Sequence, residues 1–582
     1  MPKNAEMLDL LIIGGGIYGI CAANTYLSLH PSAKIKVLDS DSGVGGVWSR
    51  SRHYPSFWSQ TGARLSGFPD EQFKIPEDAE KYHDLYDASY ITEYLERYVR
   101  GRSYDGECLE ERFVFQCWAR RVWKDGHQVW TVEADIKDKG NRIFHSTKLI
   151  VATGAHSVPF MPKLEGREGF AGRIVHQKDL GESKLLTSEE DDAEKHTNIM
   201  ILGGSKSASD IAYAAATDTN HPRNVSWIIR TTGEGPLLLN KAEGFRKYRS
   251  VTELGSIRAL ASLSAANPFL PESWWTWFLH KTVPGEWLST KLWSQTEIAS
   301  NTLANYDHRE GALDGFAGLK STTNIRYRTG SVGILQRHDY WDVIAKRVKV
   351  YRSDIETLKE HRVVLANGEE IPTDVLICGT GWRQEHPYFS ATEACRLGLP
   401  IKLEETELLD LERRHWQPLE AQADRKVLER WPNLATAGPF RKRTPTSTSY
   451  KLFNMTLPIE DRTIAFLGLQ LVPNSYHTAL VQTLYAIAAL DGAMKVPSTE
   501  AMEEQVAFMN AWCARRYPVH GWLGNVMDYE MVSFTDHLLG LLGLTSHRNK
   551  SSWWSDLTDP CLASDYAGLV DEYRRKYPDY VE

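Results

Sequence analysis

The stretch LLIIGGGIYG, residues 10 to 19, limits the possible folds more than any other part of the chain. Leu8 to Ile13 is nearly all apolar, which suits a strand buried on both faces of a parallel sheet. Gly14, Gly16 and Gly19 follow as GxGxxG, and Ile20 to Leu29 reads as a helix of small and apolar residues. Lys34 to Leu38 is a second strand ending in Asp39, 20 residues after Gly19. In a βαβ unit of this kind the first glycine permits a tight turn, the second lets the backbone approach a pyrophosphate, and the third lets helix and strand pack closely. The acid then meets a ribose hydroxyl. A lone GxGxxG is equally an ordinary turn. The register of strand, helix and acid supports a dinucleotide seat, with the phosphate charge at the helix N-terminus.

A second unit of the same design starts at Asn198 to Leu202. Gly203 holds the first fingerprint position, Ser205 the second and Ala208 the third, with Lys206 and Ser207 between them. The next strand, Val225 to Ile229, ends in Arg230 rather than an acid, 22 residues after Ala208. An arginine there accommodates the 2′-phosphate of NADP, and its fork of donors suits phosphate. The alternative is a structural βαβ unit with Arg230 as a solvated strand-end charge. Two dinucleotide units in one chain point to hydride passing from a nicotinamide to a flavin.

At 582 residues the chain is too long for one core, so two or three domains are expected. A net charge of -8 argues against nucleic acid as partner. The seven cysteines include no CxxC pair, which fits a reduced, cytoplasmic protein without disulfides or a zinc site. No apolar run reaches the ~18 residues of a membrane span, and the first one breaks into glycines too early for a signal peptide. Neither HExxH nor GxSxG occurs, so metal and hydrolase readings find no support.

Further elements, taken in order, resemble the class B flavin-dependent monooxygenases, most closely the flavin-containing monooxygenase family. They are GGVW at Gly45 to Trp48, ATG at Ala152 to Gly154, FxGxxxH at Phe170, Gly172 and His176, and a second crossing element through Gly379-Thr380-Gly381-Trp382. TIAFLGL at Thr463 to Leu469 and the helix Ala479 to Leu490 are similar to the elements that close the family's FAD domain. The resemblance implies an α/β fold of two Rossmann-like domains, for FAD and NADPH, with a helical insertion and a helical C-terminal extension. It implies FAD held by Gly14, Gly16, Gly19, Asp39, Gly46, Trp48, Thr153 and Gly154. NADPH is expected on Gly203, Ser205, Lys206, Ser207, Ala208 and Arg230, with Gly381 also at a cofactor. The activity implied is insertion of one oxygen atom from O2 into a small organic substrate through a C4a-(hydro)peroxyflavin. Ketone oxygenation of the Baeyer-Villiger type, or a flavin oxidase or dehydrogenase, stand as alternatives.

This chain departs from the family at four places. Leu180 replaces the linker aromatic, Ser205 the middle glycine, and Asp39 the common Glu, while FWSQTGARLSGFPD puts Gln60 where the family has an Asn near the flavin. Gln60, able to donate and accept, is the candidate catalytic residue. The expected domains are residues 1–185 with 370–495 for FAD and 190–369 for NADPH, with an insertion at about 236–325 and an extension at 496–582. Trp274, Trp275, Trp277, Trp287 and Trp293 in the insertion are expected to bury themselves in a small helical subdomain, the alternative being an aromatic wall over a substrate channel.

Overall fold

The computed structural model describes residues 7–126, 128–187, 196–218, 221–232, 235–264, 266–321, 325, 332–435, 445–548 and 550–582. It opens with the expected βαβ unit, Met7–Ile13, Ile17–Leu29 and Ile35–Leu38. The helix begins three residues earlier than its apolar run indicated, because Gly16 serves as its N-cap. Strand Met7–Ile13 lies between Ile35–Leu38 and the second half of the long strand Gly140–Val151, parallel to both. The first half of that strand instead pairs antiparallel with Trp130–Ile136. Ile464–Phe466 adds in parallel beside Leu149, Ile150 and Val151.

Two helices buried almost all round, Ile17–Leu29 and Ser475–Leu490, pack on this sheet and on each other. A helix apolar on every face has to be enclosed, and here it is enclosed by further helices. The C-terminal helices Thr499–Arg516, Met531–Leu541 and Leu569–Lys576 share one continuous core with the first sheet. Trp512 is fully buried there and donates its indole N–H to the Ala266 carbonyl at 2.9 Å.

The second sheet is wholly parallel, in the order Arg173–His176, Val375–Cys378, Asn198–Leu202, Asn224–Ile229, Val348–Arg352. This moves the domain boundaries. Residues 173–176 and 375–378, expected in the FAD domain, are strands of the second sheet, each giving the other a buried hydrogen-bonding partner. The chain crosses between the halves twice, and the crossings pair with each other: Val158 and Pro159 lie antiparallel to Arg383 and Trp382. A 25-residue helix, Thr406–Arg430, which no sequence motif announced, packs against Thr499–Arg516.

The insertion is helical, with its longest helices at Trp274–Lys281 and Val283–Ala304. Its tryptophans depart from expectation. Trp293 is buried, but Trp274 is 73% and Trp287 62% exposed, and Trp275 and Trp277 are also on the surface. The reason lies in spacing, since three tryptophans within four residues span more than one face of a helix and cannot all turn inward. Besides the packing of Trp293 on Tyr529 and Phe269 on Phe534, polar bonds anchor the insertion: Arg258 bonds Asp536 and Asp556, each at 2.9 Å, and Ser264 bonds the fully buried Glu530 at 2.5 Å. Among the described residues no helix is long and apolar enough to cross a membrane.

Candidate functional site

In the first unit, Gly14 has φ +109°, and a Cβ there would stand 2.5 Å from the Ala152 carbonyl oxygen. A Cβ on Gly19 would stand 1.8 Å from the carbonyl oxygen of Gly14, so helix and turn meet only because this residue has no side chain. Gly16 is different. A Cβ there would meet the backbone of Gly46 at an ordinary contact distance of 3.7 Å, at the start of the helix Ile17–Leu29. A bridge joins Gly16 to Gly45. Glycine backbone facing a helix N-terminus, without side chains to block a close approach, fits the pyrophosphate of FAD.

Asp39 is buried and its carboxylate accepts N–H groups from Gly15 and, at 2.7 Å, from Asp41. Burial, reinforced by the neighbouring Asp41 charge, pushes the carboxyl up to about 6, against the hydrogen bonds that favour its charged form. Trp48 stacks on Phe57 at 5.4 Å, and its carbonyl accepts the Thr92 hydroxyl. Thr153 and Gly154 follow directly from the strand Gly140–Val151, with the Thr153 hydroxyl 3.4 Å from that of Tyr388.

In the second unit, Gly203 has φ +143°, and a Cβ there would lie 2.1 Å from the Gly379 carbonyl oxygen. Ser205 caps the helix Lys206–Ala216, Ser207 is half-buried on it, and Ala208 packs where a Cβ on Gly379 would come within 2.7 Å. Arg230 stands exposed just after the strand Asn224–Ile229. This turn and exposed arginine fit a nucleotide carrying an extra phosphate. Lys206 departs from expectation. Its ammonium turns inward to Asp210, one helical turn on, and to Gln336 Oε1 at 2.6 Å. Burial is the largest influence on this pair, pushing Lys206 down and Asp210 up, while each partner opposes the shift of the other.

His176 is pinned between the crossings. Its Nε2 donates to the Gly381 carbonyl at 2.9 Å and its Nδ1 accepts from Lys178 N–H at 3.1 Å. With both ring nitrogens committed to backbone, and burial holding the ring neutral by lowering its pKa, it fixes the linker and transfers no proton. Gly381 itself has φ +84°, with open space around its α-carbon.

The two units meet around Trp58, Ser59 and Gln60. Gln60 Oε1 accepts the Ile334 N–H at 3.0 Å, which leaves the amide NH2 as the end that can meet a ligand. Gln336 donates to the carbonyls of Trp58 at 2.8 Å and Ser59 at 3.0 Å. The Arg337 guanidinium lies 3.3 Å from the centre of the Trp58 ring, and burial lowers its pKa. The insertion reaches the same loop: Arg64 is bonded through two nitrogens, each at 2.7 Å, to the fully buried Glu253. None of Trp58, Gln336, Arg337 or Glu253 was legible as a site residue: Trp58 lies in the quoted loop without a motif role of its own, and the other three are brought in from distant parts of the chain.

Paired dinucleotide cradles with a polar, partly buried junction between them define a two-dinucleotide oxidoreductase. Comparison with known proteins narrows this. Residues 103–239 match the family model for L-lysine 6-monooxygenase/L-ornithine 5-monooxygenase, and residues 12–74 match that for an NAD(P)-binding Rossmann-like domain. An FAD-dependent monooxygenase of Pyrenophora dematioidea is 28% identical over 575 residues, covering 94% of this chain and 100% of the relative. The FAD-dependent monooxygenase resA of Aspergillus sclerotiorum is also 28% identical, covering 97% and 98%. Cyclohexanone monooxygenase from Rhodococcus sp. Phi1, solved with NADP+, shares the fold with a TM-score of 0.57 at 15% identity, covering 93% of this chain and 97% of that one. The chain is thus similar over nearly its whole length to FAD-dependent monooxygenases, and it has the fold of a two-domain flavin monooxygenase.

Proposed function

We propose that this protein is an FAD- and NADPH-dependent monooxygenase that inserts one oxygen atom from O2 into a small organic substrate. The observation that carries the reading is the junction, where the Gln60 loop of the first unit is bonded to residues 334–336 beside the second. In this reading Gly14, Gly16, Gly19, Asp39, Gly46, Trp48, Thr153 and Gly154 hold FAD, while Gly203, Ser205, Ser207, Ala208 and Arg230 hold NADPH, with Gly381 where the chain crosses between them. Bound FAD, once reduced by NADPH, supplies the activation of oxygen. The chain supplies the surroundings. The NH2 of Gln60 would donate a hydrogen bond at the flavin, and Arg337, held over the Trp58 ring, would supply a fixed positive charge where negative charge develops.

The relatives' full-length match supports oxygen insertion over simple electron transfer. Seven free cysteines are in keeping with a cytoplasmic location, and the charge balance gives nucleic acid no purchase. The test is a reaction under oxygen-18 with candidate amines, sulfides, phenols and ketones, read by product mass. A product heavier by one labelled oxygen, formed with NADPH consumption, is expected. NADPH oxidation that yields only peroxide with every substrate class refutes insertion and leaves an oxidase. The ketone arm separates ketone insertion from oxygenation at nitrogen or sulfur.

A further inference from the structure

A continuous path of hydrogen bonds joins the turn of the second unit to the loop that carries Gln60. Lys206, the first residue of the helix Lys206–Ala216, donates to Gln336 Oε1 at 2.6 Å. The Gln336 amide nitrogen donates to the carbonyls of Trp58 and Ser59 at 2.8 and 3.0 Å. Two residues before Gln336, the N–H of Ile334 holds Gln60 Oε1 at 3.0 Å. Lys206, Gln336, Trp58 and Ser59 are all buried.

The chemistry leaves the Gln336 amide one orientation. Carbonyls only accept, so its NH2 faces Trp58 and Ser59, while an ammonium only donates, so its oxygen faces Lys206. Turning the amide over would break three hydrogen bonds at once in a water-poor site, where an unpaired polar group is costly. Lys206 holds Asp210 and Gln336 together with two of its three N–H groups, and its backbone belongs to the turn where a nucleotide's phosphates dock.

We propose that Gln336 is a positioning residue that couples occupancy of the second nucleotide site to the placement of Gln60 at the first. A nucleotide settling at the turn moves the backbone that carries Lys206 and with it the ammonium that holds Gln336, and Gln336 carries that shift to the Trp58 and Ser59 carbonyls and so to Gln60. Coupling of this kind is reciprocal, so whatever the nucleotide does to the loop, the loop does to nucleotide affinity by the same factor. The inference rests on the monooxygenase reading for its purpose, and its test runs without turnover.

The experiment is hydrogen–deuterium exchange of residues 57–66 in the FAD-loaded protein, with and without NADP+, together with NADP+ titration. In the unaltered protein NADP+ slows exchange across the segment. In Gln336→Leu that protection is lost, NADP+ affinity falls about tenfold, the effect of one buried hydrogen bond, and FAD content is unchanged. Should Gln336→Leu fail to retain FAD, the same measurement is made on Lys206→Met combined with Asp210→Asn, which removes the charge pair together; loss of protection is again expected. Protection by NADP+ that survives in the variant read, with its NADP+ affinity unchanged, overturns the coupling. Absence of oxygen-18 product alongside intact coupling would instead refute the monooxygenase reading alone.

Discussion

If Asp39 holds the ribose of FAD as proposed, it makes FAD binding depend on pH in a window above that of an ordinary surface carboxylate. Burial raises the carboxyl from its usual 3.8 to about 6, despite N–H groups from Gly15 and Asp41 that favour the charged form. At about 1.4 kcal/mol per pH unit this corresponds to about 3 kcal/mol of disfavour for the buried charge. The sign follows from proton counting. Between pH 4 and 6 the folded apoprotein holds a proton that the unfolded chain has lost, so apoprotein stability falls as pH rises through that window and stays lower above it. Ribose hydroxyls donating to Asp39 favour its charged form, so binding FAD releases that proton. FAD affinity therefore weakens as pH falls below about 6, by up to about tenfold per pH unit and about 3 kcal/mol in all. Titrating apoprotein with FAD by fluorescence quenching from pH 5 to 7.5 measures this directly, and Asp39→Asn gives the reference without the titration. A wild-type affinity that runs parallel to that of Asp39→Asn across the whole range refutes the reasoning, because FAD binding would then release no proton from the carboxyl.

Gly19→Ala drives a methyl group into the Gly14 carbonyl and is expected to yield protein without FAD whose thermal midpoint is several degrees lower, read by absorbance and calorimetry. Arg230→Ala is expected to weaken NADPH binding by about 1.5–3 kcal/mol with little change for NADH, checked by Michaelis constants for both. Trp274→Ala removes a side chain 73% exposed and is expected to change stability by no more than about 0.5 kcal/mol, whereas Trp512→Ala, emptying a fully buried site, is expected to cost about 3–5 kcal/mol; chemical denaturation compares the pair.

The parts of this molecule that were legible in the sequence are those fixed locally. The first βαβ unit could be read from spacing alone, because Gly14, Gly19 and Asp39 meet within one continuous segment. The second could also be read, although its fingerprint is degenerate, since the strand and helix around Gly203 obey the same local rules. Lys206 could not be placed, because its direction is decided by Gln336, which lies 130 residues away. Arg337 is likewise set by Trp58, and Glu253 by Arg64, pairs that only the tertiary fold creates. Residues 173–176 and 375–378 fell inside the ranges expected for the FAD domain, because the linker and crossing motifs that mark them do not say which sheet the flanking strands join. The tryptophan-rich helices misled for the opposite reason: composition indicated burial, while the helical period left those side chains no common face to bury.

The paired crossings, Val158–Pro159 against Trp382–Arg383, bear on how the protein comes apart. Two connectors lying side by side act as a hinge, and alone they would leave each half free to melt at its own temperature. The insertion is a clasp, running from the second half to Asp536, Asp556 and Glu530 in the C-terminal helices and to Arg64 beside the first cradle. Hinge and clasp together turn two halves into one cooperative unit, which heating should unfold in a single transition, and a single proteolytic cut that frees the clasp should resolve that transition into two.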